Sequence, residues 1–129
     1  MKIFELNHVA IHVKDVPASC DFYGRVLRLE PMTRPAFDFT GAWFRFGQIQ
    51  ELHIIGGRSE PVNSHNRGNH FALLVDDLEA WDAHLRQAGA TIRARRQRPD
   101  GASQLFLQDP DGHVVELFTP PPGAGARPA

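Results

Sequence analysis

The sequence predicts an α+β fold made of two tandem strand–helix–three-strand (βαβββ) modules. The first indication is an internal duplication, because residues 7–16 align with residues 69–78 at a constant offset, and their Asn, His, Ala, Val and Asp positions coincide. The second is the order of hydrophobic patterns, which repeats strand, helix and three strands in each half. Neither half closes a core alone, so we expect one curved mixed sheet, mostly antiparallel, with a concave inner face and the helices outside.

The length of 129 residues fits a single domain that covers residues 1–120. Within it, module one spans about residues 1–57 and module two about residues 69–119. Residues 57–68 between them are polar and rich in Gly, Pro, Asn and Ser, which is typical of a linker. Residues 120–129 have no apolar pattern with which to bury themselves, and we expect a disordered tail.

Module one begins with a mostly apolar strand over residues 3–13, in which His8 and His12 share one face. Asp15 and Pro17 then mark the start of a helix, since Asp caps the free amide groups of a first turn and Pro fits there. Three strands follow the helix: a weak edge strand with two prolines over residues 29–38, and clearer strands over residues 42–46 and 50–55.

Module two repeats this order. A strand over residues 69–75 leads to a helix that Asp76 or Asp77 caps and that ends before Gly89, a residue suited to the left-handed conformation after a helix. Three further strands are predicted over residues 91–98, 103–108 and 113–118, with a turn at residues 109–112 between the last two.

The duplication also places ligand-type side chains at equivalent positions of the two modules. His8 and His70 open the first strand of each copy, and His53 and Glu116 lie on the fourth strand of each copy. We expect these four side chains to converge on the inner face of the sheet. Three imidazoles and one carboxylate favour Fe, Ni, Co, Mn or Zn over Mg or Ca. We therefore predict a site for one divalent first-row transition metal. The metal would also explain Glu116, because an unpaired carboxylate in an apolar strand is costly to bury.

Several motifs together resemble the vicinal oxygen chelate superfamily, which includes glyoxalase I, fosfomycin-resistance thiol transferases, extradiol dioxygenases and bleomycin-resistance proteins. They are the paired Asn-His strand openings, the Asp-Phe-Tyr of the first helix, and the run from Asp109 to His113 that leads into residues 115–117. The resemblance covers about residues 5–118. It implies a homodimer, in which one site is often shared between the first half of one chain and the second half of the other. It also implies four metal ligands: His8, His53, His70 and Glu116.

The resemblance implies a glyoxalase-like lyase or isomerase that acts on a small oxo or hydroxy substrate through a metal-stabilised enediolate. Glu116 matches the glutamate that serves as the base in glyoxalase I. His12 occupies the position of an arginine that binds the glutathione carboxylate in glyoxalase I. A glutathione conjugate is therefore a disfavoured substrate, unless Arg45 or Arg67 replaces that arginine.

Fosfomycin transfer is also disfavoured, because Ala10, Gln104 and Phe106 stand where those enzymes carry Thr, Ser and Tyr. The substrate-binding candidates share a predicted place close to the metal ligands. They are His12, Trp43, Arg45, Gln104 and Phe106.

Two alternative functions stay open. A metal-free drug-binding protein of the bleomycin-resistance kind would hold its ligand in an aromatic groove around Trp43. An Fe(II) extradiol-type dioxygenase would use two histidines and one carboxylate of the predicted ligand set, without His53.

Composition limits the partners and the location. The net charge is −1, and the only basic run, residues 93–98, alternates on a predicted edge strand, where charge discourages pairing with other sheets. No aromatic platform accompanies this run, so nucleic-acid binding is not expected. The single cysteine, Cys20, excludes an intrachain disulfide. The sequence has no long apolar run and no signal-peptide pattern, so we expect a cytoplasmic protein that does not bind membranes. The expected partner is a small-molecule substrate.

Overall fold

The computed structural model describes residues 1–124. The chain divides into two compact units, the first Met1–Val62 and the second beginning at Asn63. Each unit contains one helix and one four-stranded mixed sheet, in the order strand, helix and three strands. The α+β class and the two βαβββ modules are therefore confirmed. The eight strands form two four-stranded sheets where the sequence suggested one.

The first unit is built from five regular elements. They are β1 (His8–His12), α1 (Val16–Asp21), β2 (Glu30–Met32), β3 (Gly41–Phe46) and β4 (Gln50–Ile55). The strand order in the sheet is β1-β4-β3-β2, with β1 parallel to β4 and the other pairs antiparallel. Strand β2 is short and lies at an edge, as its prolines predict.

Strand β1 is shorter than the sequence predicts. It begins at His8, and the preceding apolar residues Ile3, Phe4 and Leu6 are 93%, 83% and 65% exposed. The physical reason is the length of the neighbouring strand. Because β4 begins at Gln50, residues 3–6 have no strand of their unit beside them with which to form the backbone hydrogen bonds of a sheet.

Helix α1 starts and packs as its sequence predicts. The Asp15 carboxylate accepts a hydrogen bond from the Ala18 amide, and Pro17 lies in the first turn. A π-helical turn, Phe22–Val26, continues the helix and buries its apolar stripe. Tyr23 is fully buried, so it belongs to the core of this unit.

The second unit repeats the arrangement with five elements. They are β5 (Phe71–Leu74), α2 (Leu78–Gln87), β6 (Thr91–Gln97), β7 (Ser103–Gln108) and β8 (Val114–Thr119). The order in the sheet is β5-β8-β7-β6, with β5 parallel to β8. The arginine-rich strand β6 lies at the edge, as predicted, and β8 is an inner strand.

The ends of the second unit's elements are set by local polar contacts. The Asp77 carboxylate accepts hydrogen bonds from the Glu79 and Ala80 amides at the start of α2, and Gly89 after the helix has a φ of 73°. The Asp109 carboxylate accepts hydrogen bonds from three backbone amides of the turn before β8. These contacts confirm the predicted cap, stop and turn.

Two further features concern the predicted tail, residues 120–129, and the presence of membrane-spanning helices. Residues 121–124 form a turn closed by a hydrogen bond from the Ala124 amide to the Pro121 carbonyl. The rest of the predicted tail, residues 125–129, lies outside the described residues. Among residues 1–124, no helix has the length and apolar character needed to cross a membrane.

Candidate functional site

Glu116 is the buried carboxylate of the second unit. It lies on the inner strand β8, opposite Phe106 of β7 and Ala72 of β5, and it is 4% exposed. Its Oε2 atom is 2.9 Å from His70 Nε2, and its Oε1 atom accepts a 2.7 Å hydrogen bond from Gln104 Nε2. Among the described residues, His70 is its only ion-pair partner. The fold therefore holds a carboxylate out of water beside an imidazole and an amide.

His70 is oriented by the backbone that precedes β5. Its Nδ1–H donates to the Gly68 carbonyl over 3.1 Å, which directs Nε2 to the Glu116 carboxylate. A carbonyl only accepts hydrogen bonds, so in the neutral ring Nε2 carries a lone pair that faces a carboxylate oxygen. That arrangement requires a proton or a cation between the two atoms. A backbone acceptor at the second ring nitrogen is also the usual support of a metal-binding histidine.

The separation of His70 and Glu116 agrees with shared coordination of a metal. Two ligand atoms that lie about 2.1 Å from one cation and at right angles to each other are about 3 Å apart. The observed distance from Nε2 to Oε2 is 2.9 Å. The distance between these two donor atoms is therefore the one expected for two adjacent ligands of one transition-metal ion.

The first unit brings His8 and His53 together as stacked rings. Their centroids are 4.3 Å apart, and their planes differ by 16°. Trp43, the cross-strand neighbour of His53 on β3, covers His53 with a centroid distance of 4.0 Å and an angle of 5°. His53 is thus held between an indole and a second imidazole on the face of the sheet opposite to buried Phe44.

Polar neighbours fix one nitrogen of each ring in this stack. His8 Nδ1 is 2.8 Å from Asn7 Oδ1, and His53 Nε2 is 2.8 Å from Glu51 Oε2. The amide oxygen of Asn7 accepts the Nδ1 proton, so the Nε2 atom of His8 carries the lone pair of the neutral ring. His53 has a carboxylate partner of its own within the same unit.

The His8 and His53 pair fits a metal less directly than the pair in the second unit. An imidazole binds a metal through a lone pair in the plane of its ring. Two nearly parallel rings at this separation do not aim at a common ion, so one ring has to turn about its side-chain torsions before both bind. His8, whose Nε2 atom has no partner from a described residue, fits the ligand role better than His53.

The predicted ligand set is therefore found as two pairs, one in each unit. Within residues 1–124, no group of three or more His, Cys, Asp or Glu side chains is arranged to hold a metal ion by itself. The binding of one ion by His8, His53, His70 and Glu116 stays a prediction.

The residues predicted to bind substrate have defined contacts of their own. His12 donates from Nε2 to the Gly56 carbonyl, and Arg45 donates to the Gln48 carbonyl. Phe106 is 2% exposed and places its ring at right angles to the His70 ring at 5.6 Å. Trp43 is half-buried against His53, and Gln104 holds Glu116. Their contact with a substrate remains a prediction.

Sequence reasoning missed four positioning contacts. Asn7, Glu51 and Gly68 hold the predicted histidines, and Gln104 holds Glu116, although the sequence suggested substrate contact for Gln104. The Asn-His pair at the opening of both modules was the one available signal, for Asn7. Glu51 and Gly68 each lie two residues before the histidine they contact, whereas the contact of Gln104 with Glu116 joins the neighbouring strands β7 and β8.

Cys20 has no arrangement that would activate it. Partial burial raises the pKa of its thiol above the ordinary value, which lowers the fraction of thiolate at neutral pH.

Comparison with known proteins gives consistent matches over most of the chain. The sequence profile of the Glyoxalase/Bleomycin resistance protein/Dioxygenase superfamily matches residues 5–117. The glutathione transferase FosA of Serratia marcescens is 35% identical over 115 residues, which cover 87% of this chain and 78% of that protein. The metallothiol transferase FosB of Bacillus licheniformis is 26% identical over 123 residues, 92% of this chain and 77% of that protein.

A lyase and two solved structures extend these similarities. The lactoylglutathione lyase of Salmonella typhimurium is 29% identical over 122 residues, 88% of this chain and 90% of that protein. A glyoxylase/bleomycin resistance protein/dioxygenase domain from Frankia sp. EAN1pec has a TM-score of 0.80 at 20% identity, covering 95% of this chain and 96% of that one. The lactoylglutathione lyase of Agrobacterium tumefaciens has a TM-score of 0.72 at 19% identity, covering 89% and 92%. At these identities the solved structures establish the fold alone.

Proposed function

Since the chain belongs to the glyoxalase/bleomycin resistance protein/dioxygenase superfamily, we propose that it is a metal-dependent, glyoxalase-like lyase or isomerase acting on a small oxo or hydroxy compound. One observation carries the proposal: the carboxylate of Glu116, 4% exposed, lies 2.9 Å from His70 Nε2. A buried carboxylate with a histidine as its only ion-pair partner among residues 1–124 is costly unless a cation or a reaction uses it.

The proposed cofactor is one divalent first-row transition ion: Ni, Zn, Co, Mn or Fe. His70 and Glu116 would supply one pair of ligands, and His8 and His53 the other pair, from the same chain or from a partner chain. When bound, such an ion polarises a substrate carbonyl and makes the neighbouring C–H group acidic. The name of the metallothiol transferase relative is consistent with a metal in this family.

The chain's own residues then have separate tasks. Glu116 would accept the substrate proton on its carboxylate. Gln104 donates to Oε1 and so limits rotation of the carboxylate. The Gly68 carbonyl keeps the proton of His70 on Nδ1, and the edge contact of Phe106 with the His70 ring keeps water from that side.

Thiol transfer is the second candidate function, because two of the relatives are by name thiol or glutathione transferases. It would use the same metal ligands and a thiol as the second substrate. Ala10, Gln104 and Phe106 stand where the fosfomycin enzymes carry other residues, so the acceptor in this chain would differ from fosfomycin.

A metal assay followed by a substrate screen separates these functions. We expect purified protein to bind about one Ni, Co, Zn or Mn per ligand set. The loaded protein should convert an α-oxoaldehyde or a 2-hydroxy analogue without added thiol. Turnover in which a thiol adds to an electrophilic carbon and leaves a thioether in the product would favour the transferase. Protein that binds none of these metals would reject both enzymes and favour the metal-free binder.

Glu116→Gln tests the proposed base directly. The amide keeps the size of the side chain but cannot accept a proton, so we expect kcat/KM to fall at least 100-fold, the low end of general-base effects. Glu79→Gln is the matched control, because this exposed carboxylate on α2 is paired with Arg95 away from Glu116. Circular dichroism should confirm that both variants fold. Equal turnover of the two variants would contradict the assignment.

We also propose that the protein is a homodimer, as the resemblance implied. Apolar side chains at the start of the chain support it, since Ile3 and Phe4 are almost fully exposed in the single chain. We also propose a cytoplasmic location.

A further inference from the structure

The two units differ at one backbone contact beside their predicted ligand pairs. In the first unit the Glu51 amide donates directly to the Asn7 carbonyl over 3.1 Å. The duplication places Val114 and Asn69 at the equivalent positions of the second unit. There the Val114 amide donates to the Ser64 hydroxyl over 2.8 Å, and this hydroxyl donates to the Asn69 carbonyl over 2.6 Å. A side-chain hydroxyl therefore stands where the first unit has a direct backbone bond.

Ser64 is buried although it lies on the irregular segment before β5. It is 8% exposed, and its hydroxyl uses its one donor and an acceptor site in these two bonds. Serine on a connecting segment is usually exposed. The contact joins residues 50 positions apart and ties this segment to the start of β8, the strand that carries Glu116.

The inserted hydroxyl accounts for the different placement of the first histidine in each unit. Two hydrogen bonds that meet at one oxygen hold their outer atoms about 4–5 Å apart, against about 3 Å for a direct bond. Pairing of β5 with β8 accordingly begins at Phe71, whereas pairing of β1 with β4 begins one equivalent position earlier, at His8. His70, the equivalent of His8, is left outside the ladder.

Outside the ladder, His70 follows a turn that the same hydroxyl helps to close. The Asn69 carbonyl accepts hydrogen bonds from the Ser64 hydroxyl and, over 3.1 Å, from the His65 amide. The His65 carbonyl accepts one from the Gly68 amide, also over 3.1 Å. The Gly68 carbonyl then accepts the Nδ1 proton of His70. The position of that carbonyl, and with it the direction of the His70 ring, depends on this closed turn.

We propose that Ser64 is a positioning residue for the pair of His70 and Glu116. Its hydroxyl keeps His70 out of the sheet ladder and holds the turn that directs Nε2 to the Glu116 carboxylate, 2.9 Å away. Without the hydroxyl, a direct backbone bond like that of the first unit can form, which draws His70 into the ladder and away from the Gly68 carbonyl. The consequence for metal binding rests on the proposed function, whereas the effect on the His70 ring does not.

The first test follows the His70 ring in metal-free protein by nitrogen NMR at one fixed pH. We expect the ring shifts of the unaltered protein to show a proton on Nδ1, because the Gly68 carbonyl accepts it. In Ser64→Ala the proton should leave Nδ1, since without that acceptor Glu116 favours a proton on Nε2 alone. Ser64→Cys, whose thiol is a weak donor, should shift in the same direction, and Ser64→Thr, which keeps a hydroxyl, should retain the Nδ1 proton.

Two control variants separate positioning from a general loss of packing. Ser19→Ala removes the hydroxyl of a fully buried serine in the first unit. Leu85→Ala removes apolar packing from α2 in the second unit, where Leu85 is fully buried. Both should leave the Nδ1 proton in place, and circular dichroism should confirm that all variants fold.

The second test is the Zn²⁺ affinity, measured by competition with a chromophoric chelator. Ser64→Ala should weaken binding by about tenfold or more, as expected for a group that orients a metal-binding histidine, and Ser64→Thr should restore most of it. If the unaltered protein does not bind Zn²⁺ or another of the proposed metals, the proposed function fails, and the NMR test still decides the role of Ser64.

Three results would overturn the positioning role. One is an Nδ1 proton that persists in both folded Ser64→Ala and folded Ser64→Cys. Another is an equal loss of that proton in Leu85→Ala, because loosening of the whole unit would then explain the change. The third is a folded Ser64→Thr variant that regains neither the Nδ1 proton nor the Zn²⁺ affinity, since the hydroxyl would then not be the group that matters.

Discussion

At the scale of single residues, His53 is the predicted metal ligand with the most competing contacts. Its ring is stacked between Trp43 and His8, and its Nε2 atom is 2.8 Å from a carboxylate oxygen of Glu51. His70 and Glu116, by contrast, already lie at a distance suited to sharing an ion. The predicted ligand pair of the second unit therefore needs less rearrangement to bind one ion than the predicted pair of the first unit.

His53→Ala decides whether the fourth ligand is real. If His53 binds the ion, we expect the Zn²⁺ affinity to fall at least tenfold, because one bond is lost while three ligands remain. His84→Ala is the control, since His84 lies on α2 and is outside the predicted set. Competition with a chromophoric chelator measures both affinities. An unchanged affinity in His53→Ala would leave a three-ligand site and strengthen the dioxygenase alternative.

At the scale of elements, helix ends, turns and five of the eight strands were predictable to within one residue, whereas the extents of β1, β2 and β5 were not. Asp15, Asp77 and Asp109 bond to amide groups within four residues, so the local sequence contains all that these contacts need. Strand β1 was predicted over residues 3–13, but it begins at His8 because its neighbour β4 is short. A strand's extent depends on a partner distant in sequence, which alternation alone does not reveal.

Gly89 allows a direct test of a helix end. Its φ is 73°, and a Cβ added there meets no heavy atom within 4 Å. Gly89→Ala should therefore lower the free energy of unfolding by about 1–2 kcal/mol through backbone strain alone. Gly89→Asn should cost less, since Asn tolerates the left-handed conformation better. Urea denaturation measures both changes. Equal costs for the two substitutions would indicate that the strain is not the cause.

At the scale of the whole molecule, each unit contributes half of the predicted metal ligands. The first unit holds His8 and His53, and the second holds His70 and Glu116. The predicted set of four ligands therefore contains one pair from each unit. The duplication explains this division. Each copy has one predicted ligand at the start of its first strand or just before it, and a second on its fourth strand.

The proposed homodimer gives a prediction at this scale. Sedimentation should show a dimer, and Phe4→Asp should shift it toward monomer by at least tenfold in dissociation constant, because it places a charge on exposed apolar surface. Lys2→Asp is the control, since it changes the charge of the same segment more strongly without removing an apolar side chain. If both variants dissociate equally, charge and not apolar contact would account for the effect.

The sequence by itself determined the fold class, the duplicated modules and the identity of the candidate ligands. Periodicity, local caps and the constant offset between the copies are all properties of the chain read along its length. Only the tertiary structure decided that Gln104 holds Glu116, that Trp43 covers His53, and that Phe37 and Phe39 extend this stack. The reason is physical: those contacts join residues on neighbouring strands or on an irregular loop, and register and loop path are set by packing rather than by local sequence.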